Sequence, residues 1–126
     1  MRPTFYVATS FTNRNQAREV AQRLQQMGLR WAYNHDWTKF EVAAPNDPQT
    51  KLTMLFDLQA AVGADLFVLL LASPLTVGCH VELGARIGVN KEAHIVLQGI
   101  DAWHPFHDHP GIVKHKTFED LLRFIF

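Results

Sequence analysis

The sequence predicts a doubly wound α/β sandwich of three layers, flavodoxin- or Rossmann-like, with a parallel sheet of four to five strands. Three observations predict it. Strand-like and helix-like segments alternate along the 126 residues. The run Leu66 to Leu71 (LFVLLL) is apolar without interruption, as a central parallel strand covered on both faces requires. Gly28 and Gly63 close two of the helix-like segments, where the chain must turn back toward the sheet.

Taken in order, Thr4 to Thr9 (TFYVAT) is rich in β-branched and aromatic residues and reads as the first strand. Asn13 and Gln16 have capping-box spacing at the start of a helix, and Ala17, Val20, Ala21, Leu24 and Met27 form its apolar stripe. Leu29 to Tyr33 is a short second strand. Asn34 to Gln49, with its Pro45-Asn46-Asp47-Pro48 turn, is a long loop. Thr50 is the expected cap of a second helix whose apolar stripe is Leu52, Leu55, Phe56, Gln59 and Val62. Asp65 opens the central strand in a structural role. A helix over Cys79 to Gly88, a strand at His94 to Leu97, a brief strand at Ile112-Val113 and a terminal helix capped by Thr117 complete the order. Residues 1–126 form one domain, with no repeat or linker.

Composition narrows the function classes. Twelve Lys plus Arg balance twelve Asp plus Glu, and the pI is near 7.1, so no basic footprint for nucleic acid is present. The single cysteine, Cys79, excludes an internal disulfide framework. No signal-like segment opens the chain, and the longest apolar run is too short to span a bilayer. A cytoplasmic protein without membrane association is expected. Near-zero net charge is compatible with self-association.

In this fold ligands sit at the carboxyl ends of the strands. That rim holds Thr9 to Arg14, Asn34 to Thr38 and Ala72 to Glu82. Glu82 lies in GCHVELG, with Gly78 ending the loop and Glu82 expected in the first helical turn, where the dipole keeps a carboxylate ionised. Such a carboxylate can attack an electrophilic sugar carbon. It can equally stabilise its own helix and pair with Arg86. Gly84 and Ala85 are expected to let that helix lie close to the sheet. Asp57, on the second helix, is either a second site carboxylate or a solvated residue.

Several segments then resemble the nucleoside 2-deoxyribosyltransferase family and its relatives that hydrolyse nucleoside monophosphates. FYVATSFTNR (residues 5–14) is similar to the family's first strand and the loop after it. FDLQAAVGADLFVLLL (56–71) resembles its helix-to-strand segment with an aspartate, and SPLTVGCHVELGARIGVNKEAHIVL (73–97) resembles its glycine-glutamate-glycine element. The resemblance covers most of residues 4 to 98. It implies that Glu82 is a nucleophile forming a covalent deoxyribosyl intermediate, and that Asp57 moves a proton to and from the nucleobase. It implies a nucleoside or nucleotide substrate, no cofactor, and a homodimer or larger homo-oligomer. Two positions depart from the transferases. Thr76 stands where many of them have an acidic loop residue, as in the monophosphate-hydrolysing relatives, and His80 is unusual in that element.

Around the rim, Thr9, Ser10, Phe11 and Arg14 are candidates for contacts to sugar or phosphate, beside Thr12 and Asn13. Asp36 and Trp37 are candidates to hydrogen-bond and stack a base, or are an ordinary turn aspartate and a packed loop residue. Ser73, Thr76, Gly78 and His80 border Glu82. His104, His107 and His109 lie in one loop, which reads as surface rather than as a metal site. Trp31 is core or interface. Trp103 and the terminal LLRFIF serve either core or subunit contacts.

Overall fold

The computed structural model describes residues 3–40, 47–72, 77–100 and 105–126. Five strands, β1 (Thr4–Ala8), β2 (Arg30–Trp31), β3 (Leu66–Leu70), β4 (Ala93–Val96) and β5 (Ile112–His115), form one sheet in the order β2-β1-β3-β4-β5, all neighbours parallel. Four helices cover it: α1 (Arg14–Gln26), α2 (Pro48–Gly63), α3 (Val77–Gly88) and α4 (Phe118–Ile125). α2 and α3 pack together on one face. On the other, Arg23 of α1 meets Glu119 of α4 at 3.3 Å. The fold is the doubly wound α/β sandwich, and its strand order reverses between β1 and β3. Among the described residues no helix is long and apolar enough to cross a membrane.

The core is the sheet. Every residue of β3 is buried, as its unbroken apolar run requires. α1 buries Ala17, Val20, Ala21 and Leu24, the stripe its spacing predicts. Gly28, at φ 97°, reverses the chain after it, and Leu29 N–H returns to the Leu24 carbonyl at 3.0 Å. At the amino edge Asp65 accepts from the Thr4 backbone N–H at 2.8 Å and hydroxyl at 3.2 Å, a structural clasp between β1 and β3.

Several local expectations need correcting. β2 is only Arg30–Trp31, because Tyr33 and Asn34 both take positive φ (53° and 55°) and break the extended run. The side chain of Asn13 does not cap α1. Its amide donates instead to Thr9 Oγ1 at 3.1 Å. α2 starts before Thr50: Asp47 accepts from Gln49 N–H at 2.8 Å and Pro48 supplies the first helical φ. The largest difference is the face that α2 turns inward. Its buried residues are Ala60 and Ala61, whereas Leu52, Met54, Leu55 and Phe56 are about half exposed (49, 50, 51 and 46%). The predicted stripe points outward. Small alanines let α2 approach the sheet, and the space left by longer side chains is occupied by polar groups.

Candidate active site

Those polar groups begin with Tyr6. Alternation along β1 sends Phe5 and Val7 to the α1 side and Tyr6 to the α2/α3 side. The Tyr6 ring is 1% exposed, stacked on Phe67 with 6.1 Å between centroids and edge-on to Trp31 at 6.1 Å. Its apolar body fills the core, and its hydroxyl still requires a partner. That partner is Glu82: the Tyr6 hydroxyl donates to Glu82 Oε2.

Glu82 comes from α3, which starts at Val77 and so puts Glu82 in its second turn, not its first. Helical spacing sets Cys79, Glu82, Leu83 and Arg86 on the inward side. Arg86 is not its ion-pair partner. Buried at 3% exposure, the guanidinium donates to the carbonyls of Ala61 (3.2 Å), Val62 (3.2 Å) and Ala64 (2.5 Å) and, through Nε, to Glu92 (2.9 Å). It thereby closes the carboxyl end of α2 with a cation, the sign that end favours. No ion pair involves Glu82 among the described residues. Gly84 is exposed, and a Cβ there or at Gly78 would meet none of the described atoms, so neither glycine is required for close packing.

The electrostatics follow from this placement. Burial pushes the Glu82 carboxyl up to about 8; the Tyr6 hydrogen bond opposes the rise, and the nearby Asp57 and Cys79 add to it. Glu82 is therefore largely protonated at neutral pH in the free protein. The expectation of a dipole-stabilised carboxylate fails because the dipole fades beyond the first turn and the side chain faces the core. The Tyr6 hydroxyl is likewise held well above its ordinary value, by burial first and then by Glu82 and Asp57.

Asp57 comes from the inner side of α2, close enough that its charge acts on both Tyr6 and Glu82. Its Oδ1 lies 2.5 Å from His35 Nε2, and the two side chains are 16% and 9% exposed. His35 packs between Phe40 and Phe56, with ring centroids at 5.3 and 5.9 Å. The left-handed turn at Tyr33 and Asn34 precedes it, and the Tyr33 ring lies across Gly63. A Cβ at Gly63 would come 2.5 Å from the Tyr33 hydroxyl, so a larger residue there would push this exposed ring aside. The site thus joins β1, α2, α3 and the turn after β2.

The other predicted residues have separate positions. Thr9 is buried, its hydroxyl donating to the Leu70 carbonyl at 2.8 Å. Ser10 is 2% exposed, with its hydroxyl 3.3 Å from that of Thr12. Phe11 lies beside Trp37 at 6.4 Å, and the Arg14 guanidinium stacks 4.6 Å above Phe11. Asp36 accepts from Thr38 N–H at 3.0 Å, holding its own turn. Trp37 is buried and donates its indole N–H to the Val7 carbonyl at 2.6 Å. His80 is two positions from Glu82, about 200° around the helix. It meets His107 instead, Nε2 to Nε2 at 3.0 Å, with Cys79 Sγ 3.4 Å from its Nδ1. His107 is fully buried, so the histidine loop is not simply surface. Ser73, Thr76, Trp103 and His104 lie outside the described residues. Among the described residues no group of three or more side chains is arranged to hold a metal ion.

At the carboxyl ends of β1, β3 and β4 a cavity of about 300 Å³ opens, lined by Ser10, Thr12, Asn13, Gln16, Leu71, Ala72, Gln98 and Ile100. It occupies the switch point between β1 and β3, where this architecture takes ligands. Tyr6 and His35 are the members of the carboxylate cluster that sequence reasoning did not select. The available signals were a phenol inside an otherwise apolar strand and a histidine immediately before Asp36.

No protein-family model matches this chain, and no curated protein matches it.

Proposed function

We propose that this chain is a nucleoside 2-deoxyribosyltransferase-like enzyme that cleaves the N-glycosidic bond of 2′-deoxynucleosides. The observation that carries the reading is the Tyr6–Glu82 contact beside the Asp57–His35 pair. Two carboxylates on neighbouring helices each have their own hydrogen-bonding partner, and their environments differ, an arrangement that assigns separate roles to paired acids. Glu82, once ionised, attacks the anomeric carbon. The bond from that carbon to the base nitrogen breaks and its electron pair stays on the base. The proton between His35 Nε2 and Asp57 Oδ1 is the one available to that nitrogen. Water or a second base then displaces Glu82 from the sugar, and two displacements retain configuration. No cofactor enters these steps.

Phe11, Arg14 and Gly78 border the sugar side in this reading, with His80 at its margin. A second reading, hydrolysis of deoxynucleoside 5′-monophosphates, is favoured by one observation. The cavity at the start of α1 is lined by Ser10, Thr12 and Asn13, groups suited to phosphate oxygens. Nucleotide salvage of either kind fits a cytoplasmic enzyme. The partner we propose is a second copy of the chain. Leu52, Leu55 and Phe56 expose an apolar stripe along α2, and Phe56 also flanks His35.

Incubation with deoxynucleosides, and separately with their monophosphates, should release free base, and a second base added to the mixture should appear as a new nucleoside if transfer occurs. Glu82→Ala should lower release by more than about 10³-fold, the scale of losing a nucleophile. Intact-mass measurement should show a sugar adduct on the native chain and none on the variant. Full base release by Glu82→Ala would remove the nucleophile assignment.

A further inference from the structure

A second buried cluster lies on the opposite face of the sheet, beneath α4. His94 of β4 and His115 of β5 are 4% and 7% exposed, their ring planes within 20° of parallel and their centroids 5.2 Å apart. His94 Nδ1 is 2.9 Å from His115 Nε2, and His94 Nε2 is 2.9 Å from Glu92 Oε1. The network assigns the protons: His94 Nε2–H donates to Glu92, so His94 Nδ1 accepts, and His115 Nε2–H is its donor. Phe124 of α4 meets both rings edge-on, at 5.6 Å and 5.2 Å.

We propose that this pair is an acid-sensitive latch for α4, which stores one proton within the fold and releases the helix on taking a second. One proton is accommodated without movement. His94 becomes an imidazolium facing Glu92, and His115 shifts its remaining proton to Nδ1 so that its Nε2 accepts. A second proton leaves an N–H on both facing nitrogens, and two donors cannot share a 2.9 Å contact. The rings must part, and the edge contacts that the half-exposed Phe124 makes with both of them, beside the buried Leu121 and Leu122, are lost.

The surrounding charges agree with a pair kept neutral in the resting fold. Burial lowers both histidines below the ordinary value. Glu92 and, at His115, Asp120 oppose this, while His115 and Arg86 add to the lowering at His94. On α4 itself Asp120 is engaged by Arg123 at 2.7 Å, and Glu119 by Arg23 of α1 at 3.3 Å. Groups whose folded values are lowered bind more protons when undocked. Docking is therefore weakened as pH falls below the ordinary histidine range and is complete above it.

Amide hydrogen exchange followed from about pH 7 to about pH 5, the range in which histidines titrate, tests the latch. After correction for intrinsic rates, protection at Leu121 and Leu122 should fall about tenfold or more, the scale of one displaced proton per pH unit. Protection at Val68 and Leu69 in β3 should hold. His115→Gln keeps an amide donor at the Nε2 position but cannot take a proton, so the facing donors never meet and only His94 is left to titrate; the acid loss of protection in its α4 should be markedly smaller than in the native chain. Should that variant fail to fold, His94→Asn keeps an acceptor near the Nδ1 position and serves the same purpose. Loss of protection in α4 and β3 together, or an unchanged acid response in the variant that folds, would overturn the proposal.

Discussion

The two faces of the sheet are built from the same strands and do opposite things with burial. Under α1 and α4, large apolar side chains point inward: Leu24 and Leu121 are fully buried, and the titratable groups buried there are a histidine pair whose values burial lowers. Under α2 and α3 the inward residues of α2 are alanines, its larger apolar side chains face outward, and the space contains Tyr6, Glu82, Asp57 and His35. Burial disfavours charge on both faces, yet the sign of the proton linkage differs. Glu82 has a folded value raised to about 8, so its contribution to stability is complete below the ordinary carboxylate range and is lost as pH rises toward 8. The histidine pair contributes fully above the ordinary histidine value and loses its contribution as pH falls. With one contribution lost as pH rises and the other as pH falls, the two together give stability a maximum between those ranges.

The largest effect that should separate the faces is in packing. Leu24→Ala, on the α1 side, removes a fully buried side chain and should cost about 2–5 kcal/mol in denaturant unfolding. It should leave base release per folded molecule unchanged, because Leu24 lies toward the far end of α1 from Arg14 and on the other side of the sheet from the carboxylate cluster. A comparable fall in turnover would show that the faces are not independent.

This division explains what could be read from the sequence. The central strand was legible because β3 is buried on both sides and its apolar run has no other reading at that length. α1 was legible because its periodicity and its burial coincide. α2 was legible as a helix but not in its orientation. Periodicity finds an apolar stripe and cannot say whether the stripe meets this chain's core or something outside it. Glu82 and Asp57 were found through local motifs. Tyr6 and His35 were not selected, since their importance lies in contacts 76 and 22 residues away along the chain. The ionisation state of Glu82 was misjudged because the helix begins earlier than its glycine suggests and turns that side chain inward.

A smaller effect sharpens the electrostatic half of the contrast. Tyr6→Phe removes the hydrogen bond that opposes the rise at Glu82, so the Glu82 value should move further up, by about one pH unit. In kcat/KM against pH, which reports the free enzyme, the rising limb near pH 8 should shift to higher pH in the variant. Thermal unfolding should show the matching sign, with the alkaline fall in Tm extending to higher pH. An unmoved rising limb would mean that Glu82 does not govern that ionisation.

The smallest effect on the folded chain, and the one that decides what the outward stripe of α2 is for, is expected at Leu55. Its side chain is half exposed and already in water in the isolated chain, so Leu55→Glu should alter unfolding free energy by no more than about 0.5 kcal/mol. In a homodimer the same substitution places a carboxylate in the middle of an apolar contact, twice over if the interface is two-fold, and burial of unpaired charge is costly. Sedimentation should therefore show the native chain as a dimer and the variant as a monomer of nearly native stability. Activity should fall as well if the partner covers Phe56 and, behind it, the His35–Asp57 pair. A native chain that sediments as a monomer at all accessible concentrations would break the contrast at this point. The stripe would then be bare surface, and the alanines of α2 would need no explanation beyond the room that the carboxylate cluster takes.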